Sequence, residues 1–349
     1  MRLTYLVSSD YARTTGGWIY NERLLKELDA LGWRIDRVEL PAGFPDPSDD
    51  ALRAALQITD NLPDGALVLG DQVCLAPLSL WMLLEGQKHR FAIIVHHPQI
   101  LEGSRSPALA ARLDADERQA IDAADCVIAT SRLTGRQLKD GYGATPDRLL
   151  VAEPGTDVFP ASPGSGSARL NLLSIGSVIP RKRHELIVGT LAGLLDLDWR
   201  CIIAGSVTMV PEHAAMLRDL VAERGLDGRV TLLGAVTGAE VEALWSSADV
   251  YVAASAHEGF GMAVAEAVAR QVPVVTTRSG AVADWLSPAA AVIVPTDDAA
   301  AMSAALRSVI ADGVLRAGLR EGAEAARAGL ATWAETAGRV DARLRELGR

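Results

Sequence analysis

The stretch His257-Glu258-Gly259-Phe260-Gly261-Met262-Ala263-Val264-Ala265-Glu266 follows an apolar run, Val250-Tyr251-Val252-Ala253, and leads into a helical pattern over residues 262–270. Read as strand, turn and helix, it puts Glu258 in the turn, two glycines where a backbone can approach a ligand, and Glu266 about one turn into the helix. Amides at a helix start point outward unpaired, with roughly half a positive charge behind them. Such a place suits an anionic or hydroxyl-rich ligand. Carboxylates accept from hydroxyls but would repel a phosphate on its own, so two of them beside those amides suit a ligand with both phosphate and vicinal hydroxyls. A nucleotide sugar has both. The bland alternative is a strand–turn–helix with two solvated glutamates.

Working outward, short apolar runs alternate with helical patterns along the chain, which implies an α/β fold of parallel units. Strands are expected at residues 3–7, 34–40, 66–69, 91–95 and 126–129, then at 170–175, 200–204, 230–233, 250–253 and 272–276. Helices are expected at 18–31, 49–59, 107–123, 132–141, 185–195, 299–309 and 314–329, with a last amphipathic helix starting at Thr332-Trp333. Between the two sets of strands, residues 159–167 are short of apolar side chains and rich in Pro, Gly and Ser, the composition of a linker. The expected division is a first domain over 1–160, a linker over 161–168, a second domain over 169–330 and a terminal helix over 331–349.

The 349 residues suffice for two domains of ordinary size, and 49% hydrophobic residues supply their cores. A net charge of −10 argues against nucleic acid and against broad adhesion to an anionic membrane. Cys74, Cys126 and Cys201 lie far apart in or near apolar runs, so buried free thiols are expected rather than disulfides or metal ligands. The first residues read as a strand rather than a signal peptide, and no apolar run reaches the ~20 residues of a membrane span. The expected location is the cytoplasm, with peripheral membrane association left open.

Glu258 and Glu266, with Gly-Phe-Gly after the first, resemble the paired glutamates of retaining GT-B glycosyltransferases of family four; Ala263 stands where that family usually has proline. The resemblance implies two Rossmann-like domains facing a cleft, the first for the acceptor and the second for the nucleotide-sugar donor. It further implies a terminal helix that crosses back to the first domain. Glu258 and the amides of Gly259, Phe260 and Gly261 would hold the donor sugar, and Glu266 the ribose hydroxyls. A glycine-rich loop, here Thr14-Thr15-Gly16-Gly17, would approach the donor phosphates. Gly16-Gly17 lacks the third glycine of a dinucleotide fingerprint, which weighs against NAD.

His96-His97 ends the strand at 91–95, where a parallel sheet points side chains at a ligand. The family has a histidine there on the donor sugar. His96 is taken as the catalytic candidate and His97 as the second donor contact. After the strand at 170–175 comes Gly176-Ser177-Val178-Ile179-Pro180-Arg181-Lys182-Arg183-His184, expected to open a helix at Pro180. Three cations at a helix start are mutually unfavourable with its dipole unless a diphosphate joins them. Lys182 matches the family's diphosphate lysine. Ser177 stands where its arginine would be, so Arg181 or Arg183 is expected to substitute. Gly234 and Val236 lie where the family packs the base, and Arg278–Asp284 resembles the loop beyond the next strand.

Asp114-Ala-Asp116 and Asp196-Leu-Asp198 have the spacing of a metal-binding pair but read as solvated helical faces, and neither a metal nor a cofactor is expected. The expected partners are a nucleotide-sugar donor and a small-molecule, lipid or glycan acceptor. Trp18, Tyr20, Trp81 and Met82 read as core packing, with an apolar acceptor patch as the alternative. Other readings are a GT-B sugar-nucleotide epimerase, a nicotinamide oxidoreductase and a nucleotide-sugar binder without turnover.

Overall fold

A computed structural model describes residues 1–10, 15–103 and 105–348. The chain divides into two compact units, Met1–Gly155 with Ala331–Arg349, and Thr156–Leu330. Each contains one six-stranded sheet whose strands pair in parallel throughout.

In the first unit the strands are β1 (Arg2–Ser8), β2 (Arg34–Leu40), β3 (Leu67–Asp71), β4 (Arg90–Val95), β5 (Cys126–Ala129) and β6 (Leu149–Val151), in the order β2-β1-β3-β4-β5-β6. The central strands β3, β4 and β5 are apolar on both faces because helices cover both, so they read as runs rather than alternations. β6 has only three residues, all half-buried, and its pattern is too short to stand out before the fold is known.

The terminal helix Trp333–Leu347 belongs to this unit. Thr332 and Glu335 close its start with a reciprocal capping box. Trp333 packs on Tyr20 with ring centroids 5.8 Å apart, and the Thr336 hydroxyl donates to the Glu153 carbonyl at 2.7 Å. A β-carbon at Gly155 would lie 2.2 Å from the Trp333 nitrogen, so only glycine allows this approach.

The second unit contains β7 (Leu170–Ile175), β8 (Trp199–Ala204), β9 (Val230–Gly234), β10 (Val250–Ala253), β11 (Val274–Thr277) and β12 (Ala291–Val294), ordered β12-β11-β10-β7-β8-β9. This is the doubly wound order of a dinucleotide-binding sheet, with its reversal between β7 and β10. β12 was not expected; Ala291, Val292, Ile293 and Val294 form a four-residue edge of mixed burial. The linker composition is deceptive, since the segment packs onto this unit. The buried Ser162 hydroxyl donates to the carbonyls of Trp245 at 2.8 Å and Ala248 at 3.2 Å.

Two other expectations need correction. The helix expected over 185–195 is His184–Leu191, preceded by a separate 3-10 turn, Pro180–Lys182. Between them Arg183 adopts φ 52°, so the cations do not share one helix start. As expected, Tyr20, Trp81 and Met82 are core, with Trp18 half-buried. The exposed apolar side chains of the helix Ser79–Glu85 are instead Leu80, Leu83 and Leu84. The three cysteines are buried free thiols, and no helix among the described residues is long and apolar enough to cross a membrane.

Candidate functional site

In a doubly wound sheet the loops leaving the strands on either side of the reversal splay apart and leave a crevice at their carboxyl ends. In the second unit those are residues 176–183 after β7 and 254–261 after β10. Backbone joins them: the Ala256 N–H donates to the Arg181 carbonyl at 2.9 Å, and the Arg181 guanidinium donates to the His257 carbonyl at 2.8 Å. Glycine permits the crowding at their base, where a β-carbon on Gly205 would lie 1.9 Å from the Gly176 carbonyl oxygen.

Lys182 runs across Gly176 and donates from Nζ to Glu258 Oε1 at 2.6 Å, and the Ser255 hydroxyl donates to the same oxygen at 2.6 Å. Arg181 lies 3.8 Å from the other carboxylate oxygen. Burial alone would raise the Glu258 pKa; Lys182 and Arg181, with the hydrogen bonds from Lys182 and Ser255, outweigh it and hold the carboxyl at about 2. Glu258 is thus a fixed carboxylate among two cations. Arg183 is turned elsewhere, donating to the Thr296 carbonyl at 2.8 Å and pairing with Asp297. Of the two arginines left open by the sequence, Arg181 is the one beside Lys182 and Glu258. His184 is buried; burial first, and then Lys182, depress its pKa to about 3.

The turn carrying Glu258 is buttressed from the loop after β11. The Ala281 N–H donates to the Glu258 carbonyl at 3.0 Å, and the Trp285 indole donates to the Phe260 carbonyl at 2.8 Å while stacking on its ring at 5.3 Å. A β-carbon on Gly280 would lie 2.2 Å from the Glu258 carbonyl oxygen. Gly261 ends the turn at φ 92° and opens the helix Met262–Ala269. In the second turn of that helix Glu266 is half-buried and accepts from the Trp245 indole N–H at 3.1 Å. Burial raises its pKa, against the opposing pull of Arg270 and the Trp245 hydrogen bond. Gly259 is half-buried between Glu258 and Phe260. Gly234 closes β9 at φ 85° and gives its carbonyl to the Gly205 N–H at 2.8 Å; Val236 follows, half-buried.

The remaining candidates lie in the first unit. Gly16 and Gly17 begin the helix Gly16–Ala30, whose cap Thr15 accepts from the Trp18 amide at 3.2 Å; Thr14 lies outside the described residues. His96 packs edge-on against Tyr20 at 5.5 Å, and burial, with a smaller effect from His97, lowers its pKa to about 3. Its Nε2 is buried without a hydrogen-bond partner among the described residues. His97 is engaged locally through Nε2 with Glu102 at 2.7 Å. Asp114 pairs with Arg118, Asp196 with Arg307 and Asp198 with Arg169. Among the described residues no three His, Cys, Asp or Glu side chains are grouped to hold a metal.

Gly280 lies in the Arg278–Asp284 loop expected from the sequence, whereas Ser255, Trp245 and Trp285 did not stand out there. Only Ser255, three residues before Glu258, carried a local signal.

Residues 157–326 match the family described as glycosyl transferases group 1. The chain is 33% identical over 269 residues to D-inositol 3-phosphate glycosyltransferase of Nocardioides sp., covering 70% of this chain and 58% of that protein. It is 31% identical over 238 residues to the protein of the same name from Kineococcus radiotolerans, covering 60% and 54%. It therefore spans little more than half the length of these curated relatives. Among solved structures, sucrose-phosphate synthase from Thermosynechococcus elongatus superposes with TM-score 0.82 at 20% identity, covering 99% of both chains. HepE of Anabaena, solved with UDP and glucose, superposes with TM-score 0.80 at 15% identity, covering 99% of this chain and 100% of that one.

Proposed function

We propose that this chain, whose second unit belongs to the glycosyl transferases group 1 and whose fold is GT-B, is a retaining, family-four glycosyltransferase independent of metal. It moves a sugar from a nucleoside-diphosphate sugar to an acceptor hydroxyl. The carrying observation is the Lys182–Glu258 pair with Arg181 beside it, on the two loops that leave the sheet reversal.

In this reading the anomeric carbon–oxygen bond to the diphosphate breaks, and a bond to the acceptor oxygen forms on the same face. The acceptor proton passes to the departing phosphate oxygen. Negative charge grows on the diphosphate as it leaves, and fixed cations in a site of low polarity stabilise that charge without reorganising. Lys182 and Arg181 take this role in place of a metal. Glu258, ionised throughout the neutral range, accepts from donor sugar hydroxyls, assisted by the amides of Gly259, Phe260 and Gly261. Glu266 takes the ribose hydroxyls, and the base packs against Gly234 and Val236. On the first unit, His96 is a neutral imidazole rather than a cation, because burial depresses its pKa. The reading takes retention to run by front-face attack rather than by a glycosidase-like double displacement.

Thermal stabilisation by UDP, GDP, ADP and NAD tests the reading on wild type and Glu266→Ala. A shift with one nucleoside diphosphate, lost in the variant, supports it and names the base. Stabilisation by NAD alone would overturn it. Transfer is then measured with the matching nucleotide sugars, and D-inositol 3-phosphate is the first acceptor to try, given the names of the two relatives.

A further inference from the structure

We infer that Trp245 is a positioning residue for ribose recognition: its indole N–H holds Glu266 by Oε2 and leaves Oε1 for the vicinal hydroxyls of a nucleoside diphosphate. The inference rests on the role proposed above for Glu266.

Trp245 lies in the last turn of the helix Ala239–Ser247 and is fully buried. Its ring lies 5.3 Å from that of Tyr251, whose hydroxyl is tied to the Ile175 carbonyl at 3.2 Å. The indole is therefore fixed to the two strands, β10 and β7, that flank the sheet reversal. Its nitrogen can only donate, so the 3.1 Å contact commits Glu266 Oε2 as an acceptor. A glutamate side chain otherwise has considerable rotamer freedom to lose on binding. Holding it beforehand removes that cost from the binding step.

The nearest cation does not take the carboxylate. Arg270 lies one turn further along and donates to both oxygens of Glu242, at 2.9 and 2.6 Å, while its guanidinium stacks 3.7 Å from the centre of the Phe159 ring. Glu266 Oε1 has no hydrogen-bond partner among the described residues, and the residue is half-buried rather than sealed. One oxygen is held by a neutral donor and the other is open, which suits a carboxylate meant to accept from hydroxyls. A carboxylate locked to an arginine would accept from them less readily.

The test compares affinities of UDP, GDP and ADP with those of their 2′,3′-dideoxy counterparts, on wild type, Trp245→Phe, and protein with 3-benzothienylalanine at position 245. The last keeps the bicyclic shape and lacks the N–H, and it decides the matter if Trp245→Phe fails to fold. Wild type is expected to prefer the ribonucleotide by at least about tenfold, as a charged hydrogen bond to hydroxyl allows. Removing the N–H should bring that preference close to one while leaving dideoxynucleotide affinity unchanged. A purely structural role would weaken both forms equally or neither. If wild type discriminates and the isosteric variant discriminates as well, the inference is wrong and the Glu266 role stands. Should wild type bind ribo and dideoxy forms alike, the role proposed for Glu266 itself fails, and the inference with it.

Discussion

Lys182→Met tests whether the Lys182–Glu258 pair is as strong as its geometry implies. Glu258 is held at about 2, against an ordinary 4.5, in spite of its burial. That difference corresponds to about 3 kcal/mol favouring the ionised, folded state. Lys182 makes the 2.6 Å contact, while Arg181 at 3.8 Å and Ser255 remain in the variant. Burial is the largest single influence on this carboxyl, so without Lys182 the whole of that contribution is lost and the expected cost at neutral pH is ~3–5 kcal/mol, the range for breaking a buried pair by removing one partner. The sign of the pH effect discriminates. In wild type a depressed carboxyl contributes stability that is present above the unfolded pKa and disappears only as pH falls toward 2, so this contribution is flat from pH 5 to 8. Without Lys182 burial dominates and the folded pKa moves above the unfolded one, so the variant loses more stability at pH 8 than at pH 5. Urea unfolding followed by circular dichroism at both pH values reads this, and Lys182→Met/Glu258→Gln should regain most of the loss. Equal losses at the two pH values, with additive single and double variants, would refute the reasoning.

Other outcomes are equally specific. Glu266→Ala should weaken binding of the stabilising nucleoside diphosphate by about 1.5–3 kcal/mol, read by titration calorimetry. Gly280→Ala forces a β-carbon against the Glu258 backbone at a φ of 55°. It should cost on the order of 1–3 kcal/mol of stability and reduce nucleotide affinity together; an unchanged melting temperature would show that the loop yields. Glu117 is fully buried in the helix Pro107–Ala123, and burial raises its pKa to about 8 against the hydrogen bond it accepts from the Gln99 amide. A raised acid favours folding below its unfolded pKa and loses that contribution as pH climbs from about 4.5 to about 8, by up to roughly 1.4 kcal/mol per pH unit. Glu117→Gln should flatten that part of the melting profile, and a profile unchanged between pH 5 and 9 would count against it.

Much of the scaffold is legible in the chain because a strand buried on both faces must be a short apolar run, wherever it ends up in the sheet. Phe91 to Val95 and Val250 to Ala253 show this. Helix starts announce themselves through caps such as Ser106 and Ser131, since their hydroxyls satisfy amides only a few residues away. The edge strands Leu149–Val151 and Ala291–Val294 escaped because few residues, partly exposed, carry little pattern. The Pro-Gly-Ser stretch misleads because its polar groups are satisfied by distant partners, as Ser162 is by the carbonyl of Trp245.

By itself the sequence determined the alternation of strands and helices, the turn that carries Glu258, and the spacing that puts Glu266 in the following helix. Those features depend on interactions within a few residues. Which cation meets Glu258 did not follow from local pattern, because Lys182 and Glu258 are 76 residues apart and become neighbours only where β7 and β10 pair at the sheet reversal. Arg181 and Arg183 are equivalent in composition, yet the left-handed residue at 183 sends one toward Glu258 and the other to Asp297. The pairing of Trp245 with Glu266 has the same origin: two helices on adjacent connections, brought together by the packing of a sheet.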